Sequence, residues 1–159
     1  MQNEFRSVTI VVVLVTLTIV WSHAIVAAPA SGDACSLLSK QDAAAALGGM
    51  VNGPIATAPQ SSGPGMTVTS CEYTSGDHKV HLNLMNFTAD VAAIYKRLCA
   101  QKSKEGLSGL GDVACWYNDK HEELQVLKGN AFFSIELRGK NQPTEPIKEV
   151  ARKVFNQLK

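Results

Sequence analysis

Four cysteines, Cys35, Cys71, Cys99 and Cys115, are the residues most able to do chemistry in this chain. Thiols serve as metal ligands, redox pairs, nucleophiles or disulfides, and spacing decides among these. There is no C-x-x-C pair, so the wide scatter matches neither a common zinc pattern nor a thioredoxin-like redox motif. An even number is what two structural disulfides require.

Other arrangements point to chemistry more weakly. Gly109-Leu110-Gly111-Asp112-Val113-Ala114 fits the dinucleotide fingerprint G-x-G-x-x-A, in which glycines let backbone approach a pyrophosphate at a helix N-terminus. The context is wrong, because residues 102–105 are no buried strand and Cys115-Trp116-Tyr117 reads as a strand where the motif needs a helix. A glycine-rich lead into a strand is the expectation, with no cofactor. Ser108 lies near a nucleophile-elbow pattern whose second glycine comes one place early.

His78, His81 and His121 are the histidines beyond the N-terminal segment. His78 and His81, three apart on a strand, point to opposite faces and are poorly placed to share a metal. His121 precedes Glu122 and Glu123 but does not form H-E-x-x-H. The enzyme alternative, a hydrolase of envelope material, would draw acid or base work from His81, His121 or Glu122. Trp116 is expected to alternate outward if Cys115 and Tyr117 face inward, which makes Trp116 and Tyr117 the candidate binding residues; the alternative is that Trp116 lies covered under the flanking loop or a helix. Asn86-Phe87-Thr88 fits a glycosylation sequon, but Thr88 reads as a helix cap.

The elements that must position these residues begin after residue 30. Arg6 precedes an apolar run over residues 8–21, and Ala28-Pro29-Ala30 supplies small residues for cleavage after Ala30. That is the layout of a secretory signal, with residues 31–159 as one domain. An uncleaved anchor over residues 8–28 is the alternative, and the only membrane contact foreseen. A lipid anchor on Cys35 lacks the aliphatic residue of a lipobox. Each reading exports the rest of the chain, to the periplasm or beyond, where disulfides form. The 159 residues carry a net charge of +1 with acids and bases interspersed, which argues against a nucleic-acid partner.

Ser39 caps a first helix that stops at Gly48-Gly49. Residues 51–66, rich in glycine and proline, read as an irregular loop. Strands over 67–74 and 79–85 form a hairpin. Thr88 opens a second helix with Val91, Ile94, Tyr95 and Leu98 as its stripe. Strands over 113–117, 123–127 and 131–138 follow, with Gly129-Asn130 as a turn. A last helix from Thr144 buries Ile147, Val150, Ala151, Val154 and Leu158. The expectation is an α+β domain of order α-β-β-α-β-β-β-α, with a largely antiparallel sheet of about five strands and three helices.

Ser70-Cys71-Glu72-Tyr73 and Ala114-Cys115-Trp116-Tyr117 echo each other at a period of about 44 residues. Each follows a helix carrying a cysteine, which favours Cys35–Cys71 and Cys99–Cys115 among the three possible connectivities. Cys35-Ser36-Leu37-Leu38-Ser39, the Ala-Ala-Leu-Gly that ends the first helix, Ser70-Cys71-Glu72-Tyr73 and the Gly109–Ala114 motif together resemble a group of small exported bacterial proteins of unknown function, many of them lipoproteins. The resemblance spans nearly all of residues 31–159 and implies a disulfide between the first two cysteines. The outline is also similar to the tandem architecture of the β-lactamase inhibitor proteins, an analogy of fold alone. The functional expectation is a non-catalytic envelope module that binds a protein or small ligand through one sheet face; the alternatives are the hydrolase and a purely structural protein.

Overall fold

The computed structural model describes residues 33–105, 107–139 and 143–158. The expected signal segment lies outside them. Within them the chain is α+β, with four helices and one six-stranded antiparallel sheet. The order is α1 (Ala34–Leu37), α2 (Lys40–Leu47), β1 (Asn52–Gly63), β2 (Met66–Ser75), β3 (His78–Asn86), α3 (Ala89–Ala100), β4 (Val113–Trp116), β5 (Glu123–Lys128), β6 (Ala131–Arg138) and α4 (Thr144–Gln157). Across the sheet the strands run β1-β2-β3-β6-β5-β4, so two three-stranded meanders join where β3 meets β6.

Two elements depart from the expectation. The segment read as a loop is β1, whose glycines and prolines are tolerated because it is an edge strand broken by irregularities in its register with β2. A one-turn helix, α1, precedes the Ser39-capped helix, with Asp33 accepting from the Cys35 amide at its start. The remaining elements form near their expected bounds. Ser39 Oγ accepts from the Asp42 amide, and Thr88 Oγ1 from that of Val91.

One face of the sheet carries the main core. Val80, Leu82 and Leu84 of β3, Phe133, Ile135 and Leu137 of β6, and Leu124 and Val126 of β5 pack there against α1, α2 and α4. Alternate strand residues share a face, so one period-2 pattern places them all. Tyr73 of β2 donates from its hydroxyl to the buried carbonyl of Leu38, 3.2 Å away. An ion pair between Lys153 and Asp42 ties α4 to α2, and Lys128 donates to the Phe155 and Leu158 carbonyls at the C-terminal end of α4.

The opposite face is covered only in part. Helix α3 packs mainly on β4, and Ala92 meets Leu127 and Phe132 in a smaller cluster with Met85, Phe87, Tyr95 and Val113. The stripe expected on α3 is rotated in the structure: Ala92 and Cys99 are buried and Tyr95 half-buried, while Ile94 and Leu98 are 49% and 55% exposed. The reason is covalent and polar. The Cys99–Cys115 disulfide and a 2.8 Å hydrogen bond from Tyr95 to Gln125 turn that side of the helix to the sheet.

The cysteines pair as Cys35–Cys71 and Cys99–Cys115. Their bridges are not equivalent by topology, since Cys71 lies on β2, the second strand of its meander, and Cys115 on β4, the first of the other. The sequence echo therefore marks like local patterns at different places in the two halves.

Candidate functional site

Trp116 faces the main core at 1% exposure, the reverse of its expected orientation. Its indole Nε1 donates to the Glu105 carbonyl at 3.2 Å, and its ring stacks on His121 with centroids 4.8 Å apart. Cys115 is drawn to the other face by Cys99, and strand alternation then sends Trp116 inward. Tyr117, just past β4, is 54% exposed, with the Lys102 ammonium 4.4 Å from its ring centroid. Of the two expected binding residues, only Tyr117 presents a surface.

His81, His121 and Glu122 are not brought together. His81 alternates with core-facing Leu82 and so lies on the sheet face opposite the main core, whereas His121 lies against Trp116. The Gly109–Ala114 motif is a turn over residues 109–112 that runs into β4 at Val113: Asp112 donates its amide to the Leu127 carbonyl at 2.7 Å, and its carboxylate accepts from Gly129 at 2.9 Å. These bonds, with Lys96 at 3.2 Å, hold the Asp112 carboxyl below its ordinary range. Strand β4 follows directly, so the motif does not open a helix as a phosphate-binding turn would. The described residues lining the shallow pocket at Ser108 include no histidine.

What the register assembles instead is a set of rows across the half of the sheet that α3 leaves bare among the described residues. Thr57, Ser70 and Asn83 stand opposite one another in turn there, and Ser134 and Gln125 carry the same row of hydroxyls and amides on to buried positions, Gln125 under α3 where Tyr95 donates to it. Ser70 Oγ donates to Thr57 Oγ1 at 2.7 Å, and Asn83 Nδ2 to Ser134 Oγ at 3.4 Å. The next row is Ile55, Glu72, His81, Glu136 and Glu123. Beyond it lie Thr74, Lys79 and Arg138.

The acidic row is partly neutralised by the basic one. Lys79 reaches Glu72 at 2.7 Å and Arg138 reaches Glu136 at 2.5 Å. His81 sits between the two carboxylates with its imidazole half-buried. Burial pushes its proton affinity down; Glu72 and Glu136 push it up, Lys79 and Arg138 down, and the balance falls below the ordinary histidine value. At neutral pH this is a neutral ring with one donor and one acceptor, flanked by carboxylates that accept and cations that donate. Among the described residues no three His, Cys, Asp or Glu side chains converge as metal ligands. The arrangement suits hydrogen bonding to a polar partner. Sequence reading missed Glu72, Glu136 and Glu123 because partners across strands depend on register, which only the alternation of His81 and Asn83 hinted at.

Comparison with protein-family models, with curated proteins and with solved structures finds no match.

Proposed function

We propose that the chain is an exported, non-catalytic binding module of the bacterial cell envelope, which engages a polar protein or small-ligand partner through the bare half of its sheet. The observation that carries the reading is the row Glu72–His81–Glu136, a histidine between two carboxylates on a part of the sheet face that no helix among the described residues is packed on. A sheet face that needs no partner is served by any solvated side chains. Here Glu72, Lys79, His81 and Glu136 are ordered in register and half-buried, and two ion pairs, one to the exposed Arg138, hold the carboxylates. Such preformed networks favour specificity, since a partner lacking complementary groups leaves them unpaired on desolvation. The two disulfides support export, because bridges of this kind persist in oxidising compartments. Likeness to small exported bacterial proteins, carried by the cysteine-centred motifs, supports the same compartment.

The test is a photo-crosslinking amino acid placed in the cell at position 81, and separately at Arg152 on α4. The expected result is a discrete adduct from position 81 that Glu136→Arg abolishes, with none from position 152. Adducts from position 152 alone would contradict the assignment.

A further inference from the structure

Where α3 ends, a groove of about 480 Å³ runs between the helix and the β4–β5 edge, within the usual range for small-molecule sites. Leu98, Tyr117 and the Cys99–Cys115 bridge form its apolar walls, and Tyr95, Gln125 and Lys102 supply its polar groups. Tyr95 and Gln125 already satisfy each other, and Gln125 Nε2 donates on to Glu123 at 3.0 Å. Lys102 differs. Its ammonium donates to the Tyr117 carbonyl at 3.1 Å and lies over that residue's ring, and among the described residues it makes no ion pair.

The charge around the groove is one-sided. From residue 91 to residue 104 the chain carries Lys96, Arg97, Lys102 and Lys104 and no acidic residue. Lys96 is engaged by Asp112, whereas Lys102, the cation at Tyr117, makes no ion pair among the described residues. Leu98 and Tyr117 are each more than half exposed, an apolar pair held open next to an ammonium. Glu123 lies behind Gln125, so the groove is cationic at the Lys102 end alone.

We infer that this groove binds a small amphipathic anion, its charged head on Lys102 and its apolar body along Leu98, Tyr117 and the disulfide. The groove lies on the α3 side of the sheet and meets the row of the proposed face only at Gln125, which Tyr95 covers, so the inference does not depend on that reading. An ammonium contributes most when its counter-ion is desolvated against an apolar wall, which Leu98 and Tyr117 would supply to a bound head group.

Sodium decanoate is the probe, with decanol and decyltrimethylammonium as controls, added to the oxidised protein and followed by amide NMR. Decanoate is expected to shift the resonances of Leu98, Tyr117 and the Gln125 side chain in a saturable manner. Lys102→Gln should weaken it by about tenfold, the loss of one charge-assisted contact, and Leu98→Asp should abolish it; Leu98 is exposed and glutamine at position 102 keeps a donor for the Tyr117 carbonyl, so folding survives. Decanol binding as tightly as decanoate would overturn the anionic class. Shifts confined to other residues, or unaltered in both variants, would overturn the site. A wild-type dimer dissociated by Leu98→Asp and indifferent to decanoate would make the groove a self-association surface instead.

Discussion

His81 and Glu136 stand directly opposite each other where β3 meets β6, the seam that joins the two meanders of the sheet. On the other face the same two strands bury Leu82 and Ile135 as the corresponding pair. The core therefore fixes the register, and the register sets the polar row.

The first prediction concerns pH. His81 should titrate below its ordinary value near 6.5, because burial disfavours the imidazolium. The folded state then binds this proton more weakly than the unfolded chain. His81 costs nothing above pH 6.5, and its penalty to stability grows as pH falls from there through the lowered folded value. Glu136→Gln should lower the NMR midpoint further, and Lys79→Gln should raise it, since each removes a charge acting in the other direction.

Trp116→Ala should act through stability. Removing a fully buried indole costs about 3–5 kcal/mol, and urea denaturation should show it as a lower midpoint. An unchanged midpoint would place the ring outside the core.

Gly111→Ala should cost about 3 kcal/mol. Gly111 has φ +64°, and a Cβ there would come within 2.3 Å of the Leu127 carbonyl oxygen, so both backbone strain and a clash oppose it. Gly109→Ala, with φ +80° but open space around it, should cost less. Thermal unfolding of the two variants gives the order.

The disulfides should differ in worth. They close loops with sequence separations of 36 and 16, which in the chain-entropy model contribute about 4 and about 3 kcal/mol. Cys35→Ala with Cys71→Ala should therefore lower the denaturation midpoint somewhat more than Cys99→Ala with Cys115→Ala.

Fold class was legible because period-2 and period-3.6 patterns survive in β3, β6 and α4. Val80, Leu82 and Leu84, then Phe133, Ile135 and Leu137, alternate cleanly, and Ile147, Val150, Ala151 and Val154 lie on one helical face. Strand β1 was hidden because its side chains are mostly exposed, so no alternation marks it, and Pro54 and Pro59 are breakers everywhere except at an edge. On α3 the larger apolar residues, Ile94 and Leu98, outweigh Ala92 and Cys99 in any hydrophobic pattern, yet the disulfide decides the rotation. Trp116 was misplaced for a related reason: in a sheet buried on both faces at β4, alternation alone does not say which side is which. The candidate row was legible in one member only, His81; its flanking carboxylates come from strands 9 and 55 positions away in sequence.

Both readings of function rest on a chain oxidised outside the cytoplasm. The direct measurement is peptide mapping, without reduction, of the protein recovered from the cells that make it. The account predicts two linked peptide pairs, Cys35 with Cys71 and Cys99 with Cys115, and an N-terminus at Ser31. Four free thiols on a chain recovered from the cytoplasm would contradict it.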